Sequence, residues 1–260
     1  MIDVQRLGDD RRIDIRKVGV KGLCYPIIVL DRQNGTQSTV ATLNLYVDLP
    51  HHFKGTHMSR FVEILNKYRG EMTVHKMPEI LHEIQDRLEA ETAHLELEFT
   101  YFVEKQAPVS RAKSLLDYRC SFSGTMGRKL DFILGVTVPV TSLCPCSKEI
   151  SEFGAHNQRS NVTVKVRSAE FVWLEELIDV VEGAASCEVY PLLKRDDEKF
   201  VTERAFLNPV FVEDIVRNIA LRLQADQRID WFSVEAENFE SIHNHSAYAF
   251  LDWDRAQAGC

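Results

Sequence analysis

The chain has 260 residues, and 45% of them are hydrophobic, which is enough apolar material for one large domain or two of about 130 residues each. The formal net charge of −8 argues against a general nucleic-acid binder, because such proteins present a basic face. No stretch approaches the roughly 20 apolar residues of a membrane span, and the N-terminal segment lacks an apolar signal region. We therefore expect a cytoplasmic protein with neither a membrane nor a nucleic acid as partner.

The first half of the chain predicts strands, two helices and then strands again. Residues 1–16 are expected to form a terminal arm. A hairpin turn is predicted at Asn34 and Gly35, because both residue types tolerate a positive φ. Alternation in the run after this turn places Ala41, Leu43, Leu45 and Val47 toward a core. The predicted strands cover 19–29, 38–47, 94–103 and 114–124, and the predicted helices cover 58–68 and 77–91.

The second half repeats this order of elements without repeating the residues. Strands are predicted over 132–140, 161–167, 231–237 and 246–253, and a helix over 173–184. A further helix is expected to run to Gln224 from an N-cap at Asn208, with Pro209 in its first turn. The pattern predicts an α+β protein of two tandem ββααββ modules, residues 1–127 and 128–260. Each module would have an antiparallel sheet with helices on one face, and its open edges favour oligomerisation.

The connection from Pro139 to Asn161 is unusually long and rich in reactive side chains. Structureless connections of about twenty residues are uncommon in compact domains and are often functional. Cys144 and Cys146 are too close together for a zinc knuckle, so they are either ordinary loop cysteines or part of another kind of site. Cys144 and His156 with a third ligand would make an open catalytic metal site, although a lone loop histidine is more often a surface residue.

Other candidate residues each have an ordinary explanation beside the functional one. His243 lies with His245 near Glu240, an arrangement that suits general acid–base catalysis or simply a solvated hairpin. Glu213 is, by its spacing, a first-turn helix acid. Five cationic residues in the polar loop 49–60 and in the connection 139–161 are surface charges or phosphate ligands, namely Lys54, His57, Arg60, Lys148 and Arg159. The remaining cysteines are expected to be buried or incidental thiols without disulfides, namely Cys24, Cys120, Cys187 and Cys260.

Three motifs carry a family resemblance that covers essentially the whole chain. LPHHFKGTHMSRF (49–61), PVTSLCPCSKEISEFGAHNQRS (139–160) and IHNHSAYA (242–249) closely resemble type IB GTP cyclohydrolase I. The resemblance implies a tunnelling fold and a homotetramer with active sites at the subunit interfaces. It also implies that the enzyme opens the imidazole ring of GTP, releases C8 as formate and forms 7,8-dihydroneopterin triphosphate, the first step toward tetrahydrofolate.

The resemblance also implies roles for individual residues. It implies that Cys144, His156 and Glu198 are the ligands of one divalent metal, which by donor type is zinc, manganese or iron. Glu213 matches the residue that anchors guanine, since one carboxylate can accept two parallel hydrogen bonds from the purine edge. His243 matches a proton-transfer residue with Glu240 as its partner, and Cys146 matches a second active-site thiol.

Three other functions remain open at the level of the sequence. Two are tunnelling-fold enzymes that share the purine anchor, namely an archaeal cyclohydrolase that forms a cyclic phosphate and a nitrile reductase. The third is a metal-binding or purine-binding module without turnover. The mass of the product separates the enzymes from one another, and formate release from GTP separates the cyclohydrolase from the module without turnover.

Overall fold

The computed structural model describes Gln5, residues 10–68 and residues 73–257. Within these residues the chain forms nine strands and six α-helices. In chain order they are β1 (Ile15–Asp31), β2 (Gly35–Leu49), α1 (Met58–Lys67), α2 (Met77–Leu88), β3 (Ala93–Gln106), β4 (Lys113–Met126), β5 (Leu130–Leu143), α3 (Pro145–Ile150), β6 (Asn157–Ser168), α4 (Leu174–Glu182), β7 (Cys187–Glu188), α5 (Arg195–Leu207), α6 (Val212–Ala225), β8 (Ile229–Asn238) and β9 (Ala247–Asp254).

The chain divides into two compact units, and the division crosses β3 and β4. The first unit is Met1–Thr100 with Ser121–Ile133, and the second unit is Tyr101–Cys120 with Leu134–Cys260. The sequence-based division between residues 127 and 128 stays a prediction. Half of the predicted arm, residues 1–16, lies outside the described residues, namely 1–4 and 6–9.

In the first unit, β2 pairs antiparallel with both β1 and β3. The predicted hairpin is confirmed, but its turn residues are 32–34, because Asp31 pairs with Gly35. Gly35 starts β2 with a φ of 79°, which glycine adopts without strain. The apolar set of β2 faces the core as predicted, since the exposed fractions of Ala41, Leu43 and Leu45 are 0%. Helices α1 and α2 pack on each other and contact β1 and β2, respectively.

In the second unit, four long antiparallel strands follow the order β5, β6, β8 and β9, and the short β7 also pairs with β5. The predicted inward faces are confirmed, because Val138, Val162, Val164 and Val234 all have exposed fractions of 0%. Helix α6 packs on β8 and β9 and contacts α4, so its apolar stripe closes the core of this unit.

The structure corrects two expectations about the second half. The long connection is not structureless: β5 continues to Leu143, β6 starts at Asn157, and α3 forms between them. Asn208 is the C-cap of α5 rather than an N-cap, and α6 starts only at Val212. A polar residue followed by proline also suits the end of a helix, because proline cannot continue the helix.

Helix α5 and strand β7 were absent from the sequence prediction. Only Asp197 and Ala205 are buried in α5, so this helix has no apolar stripe that periodicity could reveal. Strand β7 has two residues, and Cys187 and Glu188 pair with Thr141 and Val140 of β5. Strand β7 pairs with the end of β5 from which the reactive loop, residues 144–156, leads to β6. These elements therefore matter for function.

Candidate active site

The reactive loop between β5 and β6 is closed at its base by the backbone. The amide of Cys144 donates to the carbonyl of His156 over 3.1 Å, so the two predicted metal ligands sit at adjacent positions. Cys144 is the N-cap of α3, and its sulfur accepts the amide of Ser147 at 3.5 Å. The hydroxyl of Ser147 accepts the amide of His156 at 3.2 Å, which adds a second tie across the loop. Cys144 is half-buried, whereas Cys146 in the first turn of α3 is exposed.

The ring of His156 lies among polar groups from β6 and from the segment after β8. Its Nδ1 atom is 3.0 Å from Oε1 of Gln158, 3.4 Å from Oγ of Ser241 and 3.9 Å from Oε2 of Glu240. The side chains of His156 and Glu240 are only 14% and 12% exposed. The structure therefore brings together His156 and Glu240, which the resemblance assigns to metal binding and proton transfer.

A buried chain of hydrogen bonds lies next to these residues. Ser160 donates to Oδ1 of Asn238, Asn238 donates to the hydroxyl of Ser142, and Ser142 donates to the carbonyl of Val210. The three side chains are at most 2% exposed. These hydrogen bonds join β5, β6, β8 and the α5–α6 connection. The same segments lead into Cys144, His156, Glu240 and Glu213, so the hydrogen bonds set the relative positions of these segments.

Glu198 is exposed in the first turn of α5, directly after a buried anchor. The carboxylate of Asp197 accepts hydrogen bonds from the amides of Val109, Ser110 and Lys194 and from the Ser110 hydroxyl. Burial favours the neutral acid, but these hydrogen bonds outweigh it and hold the pKa of Asp197 well below its usual range. The start of α5 is thus fixed to the turn between β3 and β4, which determines where Glu198 lies.

A buried ion network ties α5 to β7. Lys105 donates to Glu182 at 2.6 Å and to Glu188 at 2.5 Å, and Arg204 of α5 approaches Glu188 at 3.2 Å. Burial lowers the pKa of Lys105, but attraction to Glu182 and hydrogen bonds to both carboxylates outweigh this and raise it above its ordinary value. Burial also raises the pKa of Glu182. The sequence analysis singled out none of these residues, because Lys105 lies 77 and 83 positions away from its partners Glu182 and Glu188.

The other predicted site residues are exposed on elements that border this region of the second unit. Glu213 lies in the first turn of α6, as the sequence predicted. His243 lies between β8 and β9 and stacks on His245, with ring centroids 5.1 Å apart. Their exposure leaves Glu213 and His243 accessible to a ligand.

The predicted phosphate-binding cations have different surroundings. In the second unit, Lys148 donates to the carbonyl of Phe206 at 2.5 Å, whereas Arg159 is exposed on β6. In the first unit, Lys54 is exposed, His57 is the N-cap of α1, and Arg60 donates to the carbonyl of Arg87 at 2.7 Å. Lys148 and Arg60 already bind helix-end carbonyls, so a phosphate would have to replace those bonds.

The donor set of the loop fits a divalent metal. A thiolate and an imidazole at adjacent positions suit zinc, and a carboxylate as third ligand also allows manganese or iron. Across Gln5, 10–68 and 73–257, however, no three histidine, cysteine, aspartate or glutamate side chains already converge into a metal-binding group. The backbone hydrogen bond holds Cys144 and His156 close together, and the carboxylate of Glu198 has to reach them for the predicted set to be complete.

The sequence reasoning missed Gln158, although a signal for it exists. Residues two apart on a strand point to the same face, and Gln158 follows His156 by two at the start of β6. Ser241 and Asn238 gave no comparable signal, because their partners lie far away in the sequence. In the part of the chain that the structure describes, no cysteine forms a disulfide; Cys120 and Cys187 are buried, Cys24 is exposed, and Cys260 lies outside that part.

Comparison with known proteins identifies the family. The family model for type I GTP cyclohydrolase FolE2 matches residues 1–249. Proteins called GTP cyclohydrolase FolE2 from Syntrophus aciditrophicus and Geobacter sulfurreducens are each 62% identical to this chain. The first match covers 97% of this chain and 99% of the relative, and the second covers 99% and 100%. A relative of the same name from Nitrosococcus oceani is 59% identical over 254 residues.

Solved structures support the fold. Uricase from Arthrobacter globiformis aligns with a TM-score of 0.51 over 93% of this chain and 94% of that chain, at 9% identity. Urate oxidase from Bacillus subtilis aligns with a TM-score of 0.53 over 92% and 99%, also at 9% identity. At such low identity the likeness concerns the fold alone, and it confirms the predicted α+β tunnelling fold. Among the described residues, none of the helices combines the length and apolar character that a membrane crossing requires. The motif resemblance and the full-length matches agree that this chain belongs to the type I GTP cyclohydrolase FolE2 family.

Proposed function

We propose that this protein is a cytoplasmic GTP cyclohydrolase that catalyses the first step of folate biosynthesis. It hydrolyses the imidazole ring of GTP, releases C8 as formate and yields 7,8-dihydroneopterin triphosphate. The observation that carries the proposal is the meeting of His156 and Glu240 beside Cys144, at the ends of β5, β6 and β8. Hydration of C8 calls for a bound metal, which Cys144 and His156 would help to hold, and ring opening calls for acid–base groups, to which Glu240 would contribute.

Cys144, His156 and Glu198 are proposed to hold one divalent metal, either zinc, manganese or iron. The bound metal would supply Lewis acidity for hydration of C8. The protein's own contribution is to hold the thiol and imidazole at the base of the loop through the Cys144–His156 backbone bond. It also fixes the start of α5, and with it the backbone of Glu198, through the hydrogen bonds that Asp197 accepts.

The remaining residues are proposed to bind GTP and move protons. Glu213 accepts hydrogen bonds from N1–H and the 2-amino group of guanine, which discriminates against adenine because adenine lacks these donors. His243, with Glu240 as its partner, transfers protons during ring opening and ribose rearrangement. Cys146 is a second thiol at the site. The triphosphate is bound by cations from among Lys54, His57, Arg60, Lys148 and Arg159.

A homotetramer with active sites at its interfaces is proposed from the exposed apolar residues near the site. Phe153 and Ile150 in the reactive loop are 96% and 85% exposed, and Leu207 and Ile242 are 78% and 64% exposed. Such exposed apolar side chains around a site favour a protein–protein contact. Light scattering of Phe153→Ser against the wild type tests this, and a monomeric wild type would contradict it.

Formate release from GTP, together with the mass of the product, is the decisive measurement. The wild type is assayed after removal of metal with a chelator and again after addition of Mn²⁺ or Zn²⁺. Activity should return with metal in the wild type but not in Cys144→Ala. Cys24→Ala is the matched control, because Cys24 is an exposed cysteine of the first unit and should behave like the wild type. A folded, metal-loaded wild type that releases no formate would refute the proposal.

A further inference from the structure

Gln158 contacts both His156 and Glu240, yet neither the motif resemblance nor the proposed mechanism gives it a role. Its side chain is 7% exposed at the start of β6. Its Oε1 atom is 3.0 Å from Nδ1 of His156, and its Nε2 atom is 3.5 Å from Oε1 of Glu240. A buried primary amide that contacts one residue through its oxygen and another through its nitrogen can act as a bridge that orients both residues.

The chemistry of Glu240 determines which way the amide points. An ionised carboxylate only accepts hydrogen bonds, so the amide end that faces Glu240 must be the donating NH₂ group. The carbonyl end of Gln158 therefore faces His156. The amide orientation thus follows from the hydrogen-bond network, which is the sound basis for assigning such groups.

The amide orientation in turn determines where the proton of His156 lies. A carbonyl oxygen only accepts, so the Nδ1 atom that faces it must carry hydrogen. The other groups near Nδ1 agree: the Glu240 carboxylate at 3.9 Å can only accept, and the Ser241 hydroxyl at 3.4 Å can accept. Each described polar contact of this ring is made at Nδ1, so the lone pair of the neutral ring lies on Nε2.

We propose that Gln158 is a positioning residue that is oriented by Glu240 and holds His156 as the Nδ1–H tautomer, with the Nε2 lone pair directed to the divalent metal. The use of Nε2 by a metal rests on the proposed function, whereas the tautomer does not. Ligating histidines generally donate their other ring N–H to an oriented acceptor, which fixes the ring and raises its basicity. The bridge also links the proposed metal ligand to Glu240, because the side chain of Gln158 contacts both.

The tautomer is measured in the metal-free full-length protein. Solid-state ¹⁵N NMR of histidine-labelled protein distinguishes the two ring nitrogens, and loss of signals in His156→Asn assigns them among the nine histidines. The wild type should show a single Nδ1–H form at His156. Gln158→Met has similar size but no polar end, so it removes the nearest acceptor of Nδ1 and should lower the fraction of the Nδ1–H form, although the Ser241 hydroxyl and the Glu240 carboxylate remain nearby. Gln158→Glu keeps an acceptor for Nδ1 and should restore the Nδ1–H form.

Metal affinity supplies the second readout. Titration of the metal-free protein with Co²⁺, followed by its visible absorption, should give a dissociation constant about 10- to 100-fold weaker for Gln158→Met than for the wild type. Gln106→Met is the matched control, because Gln106 is exposed on β3 and belongs to no proposed site. Its tautomer spectrum and Co²⁺ affinity should equal those of the wild type.

Each result either supports the inference or overturns it. An Nε2–H wild type, or a Gln158→Met protein with unchanged tautomer and affinity, overturns it. If Gln158→Met fails to fold, Gln158→Asn replaces it, because the shorter side chain withdraws the carbonyl from His156 and has the same two outcomes. A protein with the expected tautomer and Co²⁺ affinity but no formate release would refute the proposed function and leave the inference standing.

Discussion

The buried hydrogen-bond chain through Asn238 makes a stability prediction that can be worked out from the structure. Asn238 is 2% exposed; it accepts from Ser160 at 2.5 Å and donates to Ser142 at 3.2 Å. Leucine has a similar size and neither hydrogen-bonding group. Asn238→Leu therefore breaks both bonds without opening a large cavity, and it leaves the Ser160 hydroxyl buried without its acceptor.

The expected loss of stability depends on which hydrogen bonds Ser142 and Ser160 keep when Asn238 is replaced. Ser142 keeps its bond to the carbonyl of Val210, so it loses only one net hydrogen bond, or about 1 kcal/mol. Ser160 is 0% exposed, and stranding a buried hydroxyl costs about 1–3 kcal/mol. Asn238→Leu should therefore lower the free energy of unfolding by about 2–4 kcal/mol. Adding Ser160→Ala should recover about 1–2 kcal/mol, since removing both partners can be nearly neutral.

Urea unfolding followed by tryptophan fluorescence measures these free energies. All variants are compared at one protein concentration, because assembly makes apparent stability depend on concentration. Asn218→Leu, at an exposed position of α6, is the control and should lie within about 0.5 kcal/mol of the wild type. Asn238→Leu within that same limit, or a double mutant no more stable than Asn238→Leu, would refute the reasoning.

Three further predictions concern other parts of the chain. Lys105→Met leaves the carboxylates of Glu182 and Glu188 without their lysine partner. It should lower the free energy of unfolding by about 3–5 kcal/mol at neutral pH, as measured by urea unfolding. The pKa of Lys105 is higher in the folded protein than in the unfolded chain, where it is about 10.4, so the lysine charge stabilises the fold at lower pH. The stability difference between the wild type and Lys105→Met should therefore shrink as the pH rises above about 10.4. A difference that does not depend on pH would contradict the role of the lysine charge. Glu213→Gln should lower kcat/KM for GTP roughly 100-fold or more, since two bonds to a carboxylate are weakened, and an unchanged value would exclude Glu213 as the guanine anchor. Gly19→Ala should lower the melting temperature by several degrees, because the new Cβ would lie 2.0 Å from a carbonyl oxygen of β2, and an unchanged value would contradict that close packing.

Several features were predictable from the sequence because their causes are local. Strict alternation identified the buried faces of β2, β6 and β8, since successive side chains of a strand point to opposite faces. The hairpin before β2 is also local, because Asn34 and Gly35 signal it and the carboxylate of Asp31 accepts the amides of Gln33 and Asn34. Glu213 in the first turn of α6 was also predicted, even though the helix start was misplaced, because the apolar stripe of α6 is strong.

Other features were unpredictable because their signals are ambiguous or weak. Asn208 followed by proline suits either end of a helix, and only the packing of α5 decided that Asn208 ends one. Helix α5 is mostly exposed and is held through Asp197, whose partners Val109 and Ser110 are more than 80 positions away. Neither propensity nor periodicity contains such a contact.

The sequence by itself determined the residue chemistry of this protein: a loop with two thiols and a histidine, an acid at the start of a helix, and the motifs that identify its family. Only the tertiary structure decided how those groups are oriented. His156, Gln158 and Glu240 form one hydrogen-bonded set because β6 and β8 pair in register, which brings Glu240 beside a residue 82 positions earlier. Side-chain identity is a local property, whereas hydrogen-bond direction and tautomer depend on which distant strand lies alongside.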